Sequence, residues 1–529
     1  MGQRKGNRVL CRVIAVAVAV RAAYAFAYLS SPLAGQSRAD QGYYRDWAIQ
    51  IAGGDLLGRE VFEQGPLYAY GLALVYRVFG ARDEPALALQ LAAGVATSAL
   101  VYACARRLVS ARGTLFAGLA CAAFGPLVFY ECMVMKTFLS PLFTIAVVYL
   151  GLRYAEDARA RWLAGAGAAV GLACLVRENH VLLAVPLAVQ LAAVGRARGF
   201  GARRWLAHGL ALGAAIAAMI APAALRNYAV SGEWVAVTAG GGEVFYIAHG
   251  PHANGYFAPP PFVGTAGPAQ QHAAFRAEAS RRLGREVSRA ESSRYWAREA
   301  AREAIAHPAR SAHLALVKLS GLLNDFEAPS DQFYAVTRVE LPWLRALPTF
   351  GWVAGLGLLG IASVLRAPAR FALPLLALAA HALSFVLTFD FGSFRAGMIP
   401  VWLLFAGHGA DRIAELFAAR RRAASAAAAL FAAAVSALAF RPPLDFDRMP
   451  FAYERAVLEM ELSIARGDDA ATEQHLRDAL EHAPAHRKAE AHRALGQLLE
   501  ETGRADEAER HLRAADELES GARPPDPSP

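Results

Sequence analysis

Residues 9–29 read VLCRVIAVAVAVRAAYAFAYL and are apolar apart from Arg12 and Arg21. A helix of about 20 apolar residues is long enough to cross the hydrocarbon core of a bilayer. The stretch AFA at 25–27 resembles a signal-peptide cleavage site, although two arginines are unusual in a signal core. We therefore predict a retained first transmembrane helix, with a cleaved signal peptide as the alternative.

Ten further apolar runs follow the first one, so we predict about eleven transmembrane helices. The chain of 529 residues is 56% hydrophobic and only 19% charged, whereas soluble domains carry about 25% charged residues. This composition predicts an all-α polytopic membrane protein with additional helices in its outer loops. The ten runs lie at 86–105, 114–130, 137–152, 162–176, 180–195, 205–225, 346–365, 371–389, 396–417 and 423–440.

Arginine clusters indicate how these helices are oriented. Positively charged residues favour the cytoplasmic side of a membrane protein. Each cluster falls in a turn that an eleven-span count places on that side. The N-terminus is then cytoplasmic, and the outer face of the cytoplasmic (inner) membrane carries the loops 30–85 and 226–345 and the C-terminal tail. The net charge of +9 resides largely in these turns, so no nucleic acid partner is predicted.

The two long outer loops have helical character of their own. The segment PLYAYGLALVYRVFG at 66–80 is too short to cross comfortably, so it predicts an interfacial or re-entrant helix. The second loop contains a charged helical stretch from about Gln270 to Ile305. An amphipathic segment follows, and its apolar residues recur at the spacing of a helix that lies on the membrane surface. These residues are Leu314, Val317, Leu319 and Leu322.

The C-terminal tail is charged, rich in alanine and internally repeated. RGDDAATEQHLRDAL at 466–480 recurs as TGRADEAERHLRAAD at 502–516, a shift of 36 residues. This period resembles the tetratricopeptide repeat, a helical hairpin that packs against its neighbours. We expect these repeats to bind a protein partner. The predicted domains are a membrane domain at 1–445, an α-helical repeat domain at 446–520 and a disordered tail at 521–529.

Several common chemical motifs are absent from the sequence. It contains no phosphate-binding loop, no zinc-protease motif and no nucleophile elbow. His249 and His252 have no third ligand nearby, so a turn with surface histidines is predicted there rather than a metal site. The five cysteines lack ligand spacing and are predicted to be small packing residues. They are Cys11, Cys104, Cys121, Cys132 and Cys174.

Polar side chains at the outer membrane face form the candidate site. Ionisable residues at membrane depth are costly and by default functional. Tyrosines, however, also form interfacial belts, and arginines also reach lipid headgroups. Arginine pairs well with phosphate oxygens, and a carboxylate can take the proton of an attacking hydroxyl. The set therefore suits transfer chemistry on a lipid phosphate. It comprises Asp40, Tyr43, Tyr44, Asp46, Trp47, Glu60, Glu63, Arg177, Glu178, Asn179, Arg226, Asn227, Asp390 and Arg395.

Six stretches between about residues 9 and 440 resemble, in order, the C-superfamily (GT-C) membrane glycosyltransferases. The resemblance is to the branch of the protein O-mannosyltransferases and the lipid A aminoarabinose transferase. It implies the GT-C fold and a sugar donor linked to a polyprenyl phosphate. The stretches are DQGYYRDWAIQIAGGD, EQGPLYAYGLALVYRVFG, LACLVRENHVLLAVPLA, PAALRNYAVSGEWVAVTAGGGEVFYIAHGPHANG, LVKLSGLLNDFEAPSDQFY and FGSFRAGMIPVWLLFAG.

The resemblance also implies roles for single residues. Asp40 matches the catalytic aspartate of the first loop, which acts as the base on the acceptor. Arg395 matches the late arginine that binds the donor phosphate, and Arg177 matches a second phosphate contact. Glu63 falls where the family has an acidic residue before a proline. Lys136 stands where many relatives carry an acidic residue, and it is either a donor contact or a lysine that reaches the headgroups.

The metal requirement stays open in the sequence. Gln41 follows Asp40, so the first loop lacks the paired carboxylates that would indicate a metal site. No cofactor is implied beyond the lipid-linked sugar, which is itself a substrate.

These observations predict an enzyme rather than a purely structural protein. We expect an inverting glycosyltransferase that moves a sugar from a polyprenyl-phosphate donor to a lipid, glycan or protein on the outer face. Candidate substrate-binding residues are Arg395, Glu63, Tyr44, Arg177, Lys136 and Arg226. A repeat-bearing scaffold for envelope assembly and a glycan ligase of the same superfamily are the alternatives, and a secondary transporter is a third.

Overall fold

The computed structural model describes residues 2–34, 39–263, 268–329, 332–366, 368–449, 451–484 and 487–520. Within these ranges the chain is helical, and an isolated bridge between Tyr256 and Asp390 is the one β-type pairing. The prediction of an all-α polytopic membrane protein is thereby confirmed. The tail predicted to be disordered, 521–529, lies outside the described residues.

The α-helices differ widely in length, from single turns to 30 residues. In chain order they are α1 (Gly2–Leu29), α2 (Ala39–Ala52), α3 (Pro66–Phe79), α4 (Asp83–Leu108), α5 (Ala111–Ala122), α6 (Gly125–Glu131), α7 (Leu139–Asp157), α8 (Ala160–Cys174), α9 (Ala184–Ala197), α10 (Ala202–Ser231), α11 (Gly241–His249), α12 (Pro268–Leu283), α13 (Arg289–Ala306), α14 (Pro308–Leu322), α15 (Tyr334–Glu340), α16 (Phe350–Val364), α17 (Ala372–Leu387), α18 (Gly392–Arg395), α19 (Ile399–Ala418), α20 (Arg422–Ala439), α21 (Phe451–Arg466), α22 (Asp469–His482), α23 (Lys488–Glu501) and α24 (Ala505–Ser520).

Seven helical segments of the described chain are long and apolar enough to cross a membrane. A bent pair, α5 and α6 at 42°, raises the number to eight if it counts as one span. Helices α8 and α17 are apolar but shorter, and α19 carries three charged residues. The eleven predicted spans therefore all correspond to helices, although the count of eleven stays a prediction. The seven segments are Gly6–Leu29, Asp83–Leu108, Lys136–Asp157, Glu178–Ala197, Ala202–Ser231, Pro342–Val364 and Arg422–Ala439.

A buried ion pair accounts for an arginine inside the first apolar run. Arg21 is 2% exposed and lies 2.8 Å from Glu131, at the end of α6. The guanidinium also donates to the carbonyl of Ala122 at 2.9 Å. Charged residues within a membrane segment face the bundle interior and pair with one another. The first helix is thus an integral part of the bundle, and the pair holds it against the bent segment.

Glycines let three late helices pack closely. A Cβ at Gly355 of α16 would overlap the backbone of Ala432 in α20. A Cβ at Gly360 would overlap the carbonyl of Phe405 in α19. Small residues at such crossings allow the close backbone approach that stabilises helix pairs in a bilayer.

The loop helices pack against the protein. Helix α3, the short helix predicted at 66–80, buries Tyr68 and Leu72 against α2. The charged stretch predicted from Gln270 to Ile305 forms two helices, α12 and α13, because the chain turns at Gly284 with a φ of +67°. A positive φ favours glycine. Helix α14 packs its apolar face against α17 and α13 rather than leaving it for the membrane surface.

The two histidines of the predicted surface turn differ in their environments. His252 is exposed, as predicted. His249 ends α11, is half-buried and lies 3.4 Å from the ammonium of Lys318. That lysine is fully buried, and it donates to the carbonyl oxygens of Ala248 and Val386. The prediction that His249 lies on the surface is therefore wrong. Its contact with Lys318 places the imidazole at the junction of α11, α14 and α17.

Four of the five cysteines match their predicted role as packing residues. All five are free thiols, and four of them are buried within the helical bundle. Cys11 is the exposed member of the set.

The C-terminal tail forms two antiparallel helical hairpins. Helices α21 and α22 pack as one pair, and α23 and α24 pack as the next. Gly467 and Gly503 occupy equivalent turns, 36 residues apart, with φ angles of +67° and +80°. The turn glycines that the repeat predicts are therefore needed for backbone conformation.

Candidate functional site

A cavity of about 820 Å³ lies where the loops 30–85 and 226–345 meet the ends of the bundle helices. Volumes of this size are typical of ligand sites in proteins. Segments far apart in the chain contribute its polar side chains. These are Asp40, Glu63, Gln64, Lys136, Arg177, Glu178, Asn179, Thr238, Gln271, His272, Thr388, Asp390, Ser393, Glu454 and Arg487.

Asp40 stands in the first turn of α2 and is held by Gln64. The amide nitrogen of Gln64 donates to the Asp40 carboxylate at 2.9 Å. The amide oxygen of the same residue accepts from Lys136 at 2.6 Å and from the Tyr44 hydroxyl at 3.2 Å. Gln64 therefore fixes a carboxylate and a cation at one end of the cavity.

Tyr44 supports the site without lining the cavity. Its ring is fully buried and packs edge-on against Tyr68 at 5.3 Å. The ammonium of Lys136 lies 5.3 Å from the centre of this ring. Burial, followed by the nearby charge of Asp40, raises the pKa of the Tyr44 phenol well above its ordinary value. The hydroxyl therefore stays protonated and remains a donor to Gln64.

Glu63 is joined to the second outer loop. Its carboxylate forms an ion pair with Arg289 at the start of α13. Next to it, Gly65 packs so closely that a Cβ there would overlap the carbonyl oxygen of Val176. The amide of Leu67 donates to the carbonyl of Leu175 at 3.2 Å. The start of α3 is thus fixed against the turn that carries Arg177.

Arg177 lies between α8 and the 3-10 turn Glu178–Leu183. The Arg177 guanidinium donates to the Ser393 hydroxyl at 3.0 Å and lies 4.1 Å from the centre of the Phe394 ring. The neighbouring carboxylate of Glu178 accepts from the backbone amide of Thr238 at 2.7 Å. This turn therefore connects the second outer loop with the short segment around α18.

Two of the predicted arginines lie outside the cavity. Arg395 is 2% exposed and pairs with Glu327, and it also donates to backbone carbonyls that include that of Asn324. Arg226 donates to the carbonyls of Leu57 and Glu60 in the first loop. In this structure both guanidinium groups hold loop backbone in place.

The structure thus brings four of the seven predicted catalytic and substrate-binding residues to one cavity. Tyr44 stands one hydrogen bond behind them, whereas Arg395 and Arg226 support the loops around them. The four are Asp40, Glu63, Lys136 and Arg177.

Other polar residues of the site were not selected from the sequence. Gln64 adjoins Glu63 in a stretch that was singled out, so its position was a usable signal. The pair of His272 and Glu243 depends on contact between α11 and α12, which no local pattern indicates. Burial raises the pKa of the Glu243 carboxyl. Arg487 comes from the tail, and nothing in its sequence context points to the membrane domain.

Asp390 lines the cavity in a strongly buried position. The side chain is 6% exposed and packs against Gly321. The Asp390 amide donates to the carbonyl of Gly255 at 2.8 Å. Burial raises the pKa of the Asp390 carboxyl to about 7, although Arg395 acts in the opposite direction.

A metal site was left open by the sequence. In the part of the chain that the structure describes, no group of three His, Cys, Asp or Glu side chains is arranged to hold an ion. The question of a divalent metal therefore stays open.

Comparisons with known proteins match one family model. Residues 63–224 match the model of the dolichyl-phosphate-mannose-protein mannosyltransferase family. This range contains Glu63, Lys136 and Arg177, and it excludes Asp40 and Arg395. None of the curated proteins matched the chain.

Solved structures of membrane transferases resemble the chain at low identity. The archaeal oligosaccharyltransferase AglB from Archaeoglobus fulgidus, in complex with an inhibitory peptide and a dolichol-phosphate, is 14% identical with a TM-score of 0.45. That likeness covers 86% of this chain but only 58% of the oligosaccharyltransferase. ArnT from Cupriavidus metallidurans in the apo state is 18% identical with a TM-score of 0.33, over 74% of this chain and 77% of ArnT.

The matched residues form a continuous part of the bundle, from the start of α3 into α10. Three of the cavity's predicted residues lie within them. Over this part of the bundle, the chain therefore resembles the dolichyl-phosphate-mannose-protein mannosyltransferase family.

Proposed function

We propose that the chain transfers a sugar from a polyprenyl-phosphate donor to an acceptor at the outer face of the cytoplasmic membrane. The observation that carries the proposal is that Asp40, Lys136 and Arg177 line one cavity. A carboxylate and two cations in one site suit a reaction that releases a proton from one substrate and a phosphate from the other. The family match to mannosyltransferases supports the same reaction class.

The reaction is a displacement at the anomeric carbon of the sugar. Asp40 accepts the proton of the acceptor as that nucleophile attacks. The new bond to the sugar forms while the bond between the anomeric carbon and the phosphate oxygen breaks, so the lipid leaves as its phosphate. A single in-line displacement inverts the anomeric configuration. The acceptor is a lipid, a glycan or a protein.

Lys136 and Arg177 are the proposed contacts to the donor phosphate. Both lie on elements of the bundle, from which a membrane lipid can approach laterally. A direct contact from Arg395 would require its guanidinium to leave the carbonyls and the Glu327 carboxylate that it binds. We therefore propose that Arg395 positions the segment around α18, which in turn contacts Arg177 through Ser393.

Substitution of Asp40 tests the proposal directly. Asp40→Asn keeps the size of the side chain but removes the base, so transfer should fall at least about 100-fold. Asp46→Asn is the matched control, because Asp46 is an exposed residue of the same helix. The assay measures sugar transfer from a labelled polyprenyl-phosphate sugar in proteoliposomes. Mass spectrometry of envelope lipids, glycans and proteins from a deletion strain first identifies the sugar and the acceptor.

Equal transfer by the Asp40→Asn variant and the wild type would remove Asp40 from the role of base. Full complementation of the deletion strain without any detectable transfer would instead favour the scaffold alternative.

A further inference from the structure

The C-terminal hairpins contribute to the same cavity as Asp40. Met449, Phe451, Glu454 and Arg487 all line it, although they lie more than 400 residues beyond Asp40 in the chain. Two of them belong to α21, and Arg487 immediately precedes α23. The repeats therefore supply part of the cavity wall.

Helix α21 is packed firmly onto the membrane domain. Leu458 and Leu462 are 0% and 1% exposed, and they belong to the main apolar core of the bundle. The Phe451 ring lies 5.3 Å from that of Phe326 and 6.1 Å from that of Phe333. Removing leucine and phenylalanine side chains from water stabilises such packing. The first hairpin is thus held in place by a core and not by surface contacts alone.

The segment that precedes α21 is also tied down. The hydroxyl of Tyr256 donates to the carbonyl of Leu444 at 2.7 Å. The amide of Asn254 donates to the carbonyl of Arg448 at 3.1 Å. These bonds join the linker to the second outer loop, so the wall is anchored on both sides of Met449.

The wall faces the side of the cavity that the acceptor would use. The proposed donor contacts, Lys136 and Arg177, come from bundle elements that a membrane lipid can reach. The repeats follow the last bundle helix and are predicted to lie outside the membrane. An acceptor that arrives from outside would therefore meet the repeats.

Arg487 is the side chain of this wall best suited to select an acceptor. Its side chain is 25% exposed, and its guanidinium donates to Glu490 at 2.9 Å. Guanidinium is a donor only, with five N–H groups in a fixed fork that matches carboxylate oxygens. The rings of Phe451 and Phe333 provide apolar surface within the same cavity.

We propose that Arg487 is a specificity-determining residue that binds a carboxylate group of the acceptor, and that the repeats thereby choose the substrate of the cavity. This inference rests on the proposed function, because it needs an acceptor to enter the site. It assigns the tail a place within the enzyme in addition to any role in binding a partner.

Substitution of Arg487 tests the inference. Arg487→Gln should lower transfer to the native acceptor at least 10-fold. The rise in unfolding temperature that undecaprenyl phosphate causes, without any acceptor, should be the same in this variant as in the wild type. Arg487→Lys should recover part of the loss because it keeps the charge. Arg513→Gln is the matched control, since Arg513 is an exposed arginine of the same repeats that pairs with Glu509. Transfer is followed by mass spectrometry of the envelope products in a complemented deletion strain.

The outcomes separate this inference from the proposed function. Wild-type product levels with Arg487→Gln would overturn the role of Arg487 while leaving the transferase intact. An equal loss with Arg513→Gln, or a lowered unfolding temperature of Arg487→Gln, would also overturn it, since the effect would then be general. If undecaprenyl phosphate fails to stabilise the wild type and the deletion strain has unchanged envelope products, the proposed function itself fails.

Discussion

Gln64 connects a carboxylate and a cation that are 96 residues apart in sequence. Its amide donates to Asp40 and accepts from Lys136, and the Tyr44 hydroxyl adds a third hydrogen bond. Such supporting residues orient the groups that do chemistry, and their loss typically costs 10–100-fold in activity where it has been measured at metal sites. Gln64 is therefore a positioning residue whose substitution should affect both substrates.

We expect Gln64→Leu to lower sugar transfer about 10–100-fold. The reason is that Asp40 and Lys136 both lose their hydrogen bonds to the Gln64 side chain. The measurement is the rate of transfer in proteoliposomes, together with the unfolding temperature. Gln50→Leu, at an exposed position of α2, is the control and should leave the rate unchanged. Unchanged transfer in Gln64→Leu would show that Asp40 is oriented by other contacts.

Asp390 should make stability depend on pH. Its folded-state pKa is about 7 because of burial, whereas an unfolded aspartate titrates near 4. Between about pH 4 and pH 7 the folded state keeps a proton that the unfolded state releases. Stability should therefore fall as pH rises through this window, by up to about 1.4 kcal/mol for each unit of pKa difference.

Thermal unfolding in detergent at pH 4.5 to 8 measures this dependence. Asp390→Asn cannot ionise, so its unfolding temperature should decline less with rising pH than that of the wild type. Asp46→Asn, at an exposed position, should follow the wild type. Parallel curves for Asp390→Asn and the wild type would contradict the titration of Asp390 in this range.

At the scale of helices, the ion pair between Arg21 and Glu131 joins α1 to α6. Glu131→Ala would leave the buried Arg21 without a counter-charge, and breaking such a pair typically costs about 3–5 kcal/mol. The double variant Arg21→Met/Glu131→Met removes both charges and should recover most of that loss. Unfolding in detergent measures both effects. A double variant no more stable than Glu131→Ala would show that the charges do not account for the loss.

Hydropathy predicts where helices occur better than where they bend. The apolar run at 114–130 is predicted to form one transmembrane helix, yet the chain bends by 42° between α5 and α6. The bend follows Ala122, whose carbonyl accepts a hydrogen bond from the Arg21 guanidinium. A contact from α1 therefore lies at the break between the two helices. Periodicity along one segment carries no information about such a partner, which lies 101 residues away.

The candidate site, too, can be predicted only in part from local sequence. Asp40, Glu63 and Arg177 could be selected because each is an ionisable residue beside an apolar run. Their convergence depends on contacts such as that of Gln64 with Lys136, 72 residues apart. Arg395 was selected for its charge and its place in a motif, but its environment of backbone carbonyls appears only in the folded chain. Residue type therefore predicts candidates, and packing decides which of them reach the cavity.

For the whole molecule, the direction of insertion can be measured. We expect the N-terminus in the cytoplasm and the repeats outside, because the predicted number of spans between them, eleven, is odd and the arginine clusters favour this orientation. Alkaline phosphatase fused after the last residue should therefore be active. The same enzyme inserted at Gly199, in the predicted cytoplasmic turn between α9 and α10, is the control and should be inactive. The reverse pattern would overturn the orientation and the outer-face site together.

The wall supplied by α21 and Arg487 also bears on the timing of synthesis. Asp40 leaves the ribosome early, whereas the residues that complete the cavity are among the last 81 of the chain. At roughly 5–20 residues per second, many seconds separate the synthesis of Asp40, Lys136 and Arg177 from that of the wall residues. On the proposed role of Arg487, the cavity lacks its acceptor-selecting side chain during that interval. The same proposal makes acceptor choice the last property of the enzyme to be completed in synthesis, because the domain that provides it comes last in the chain.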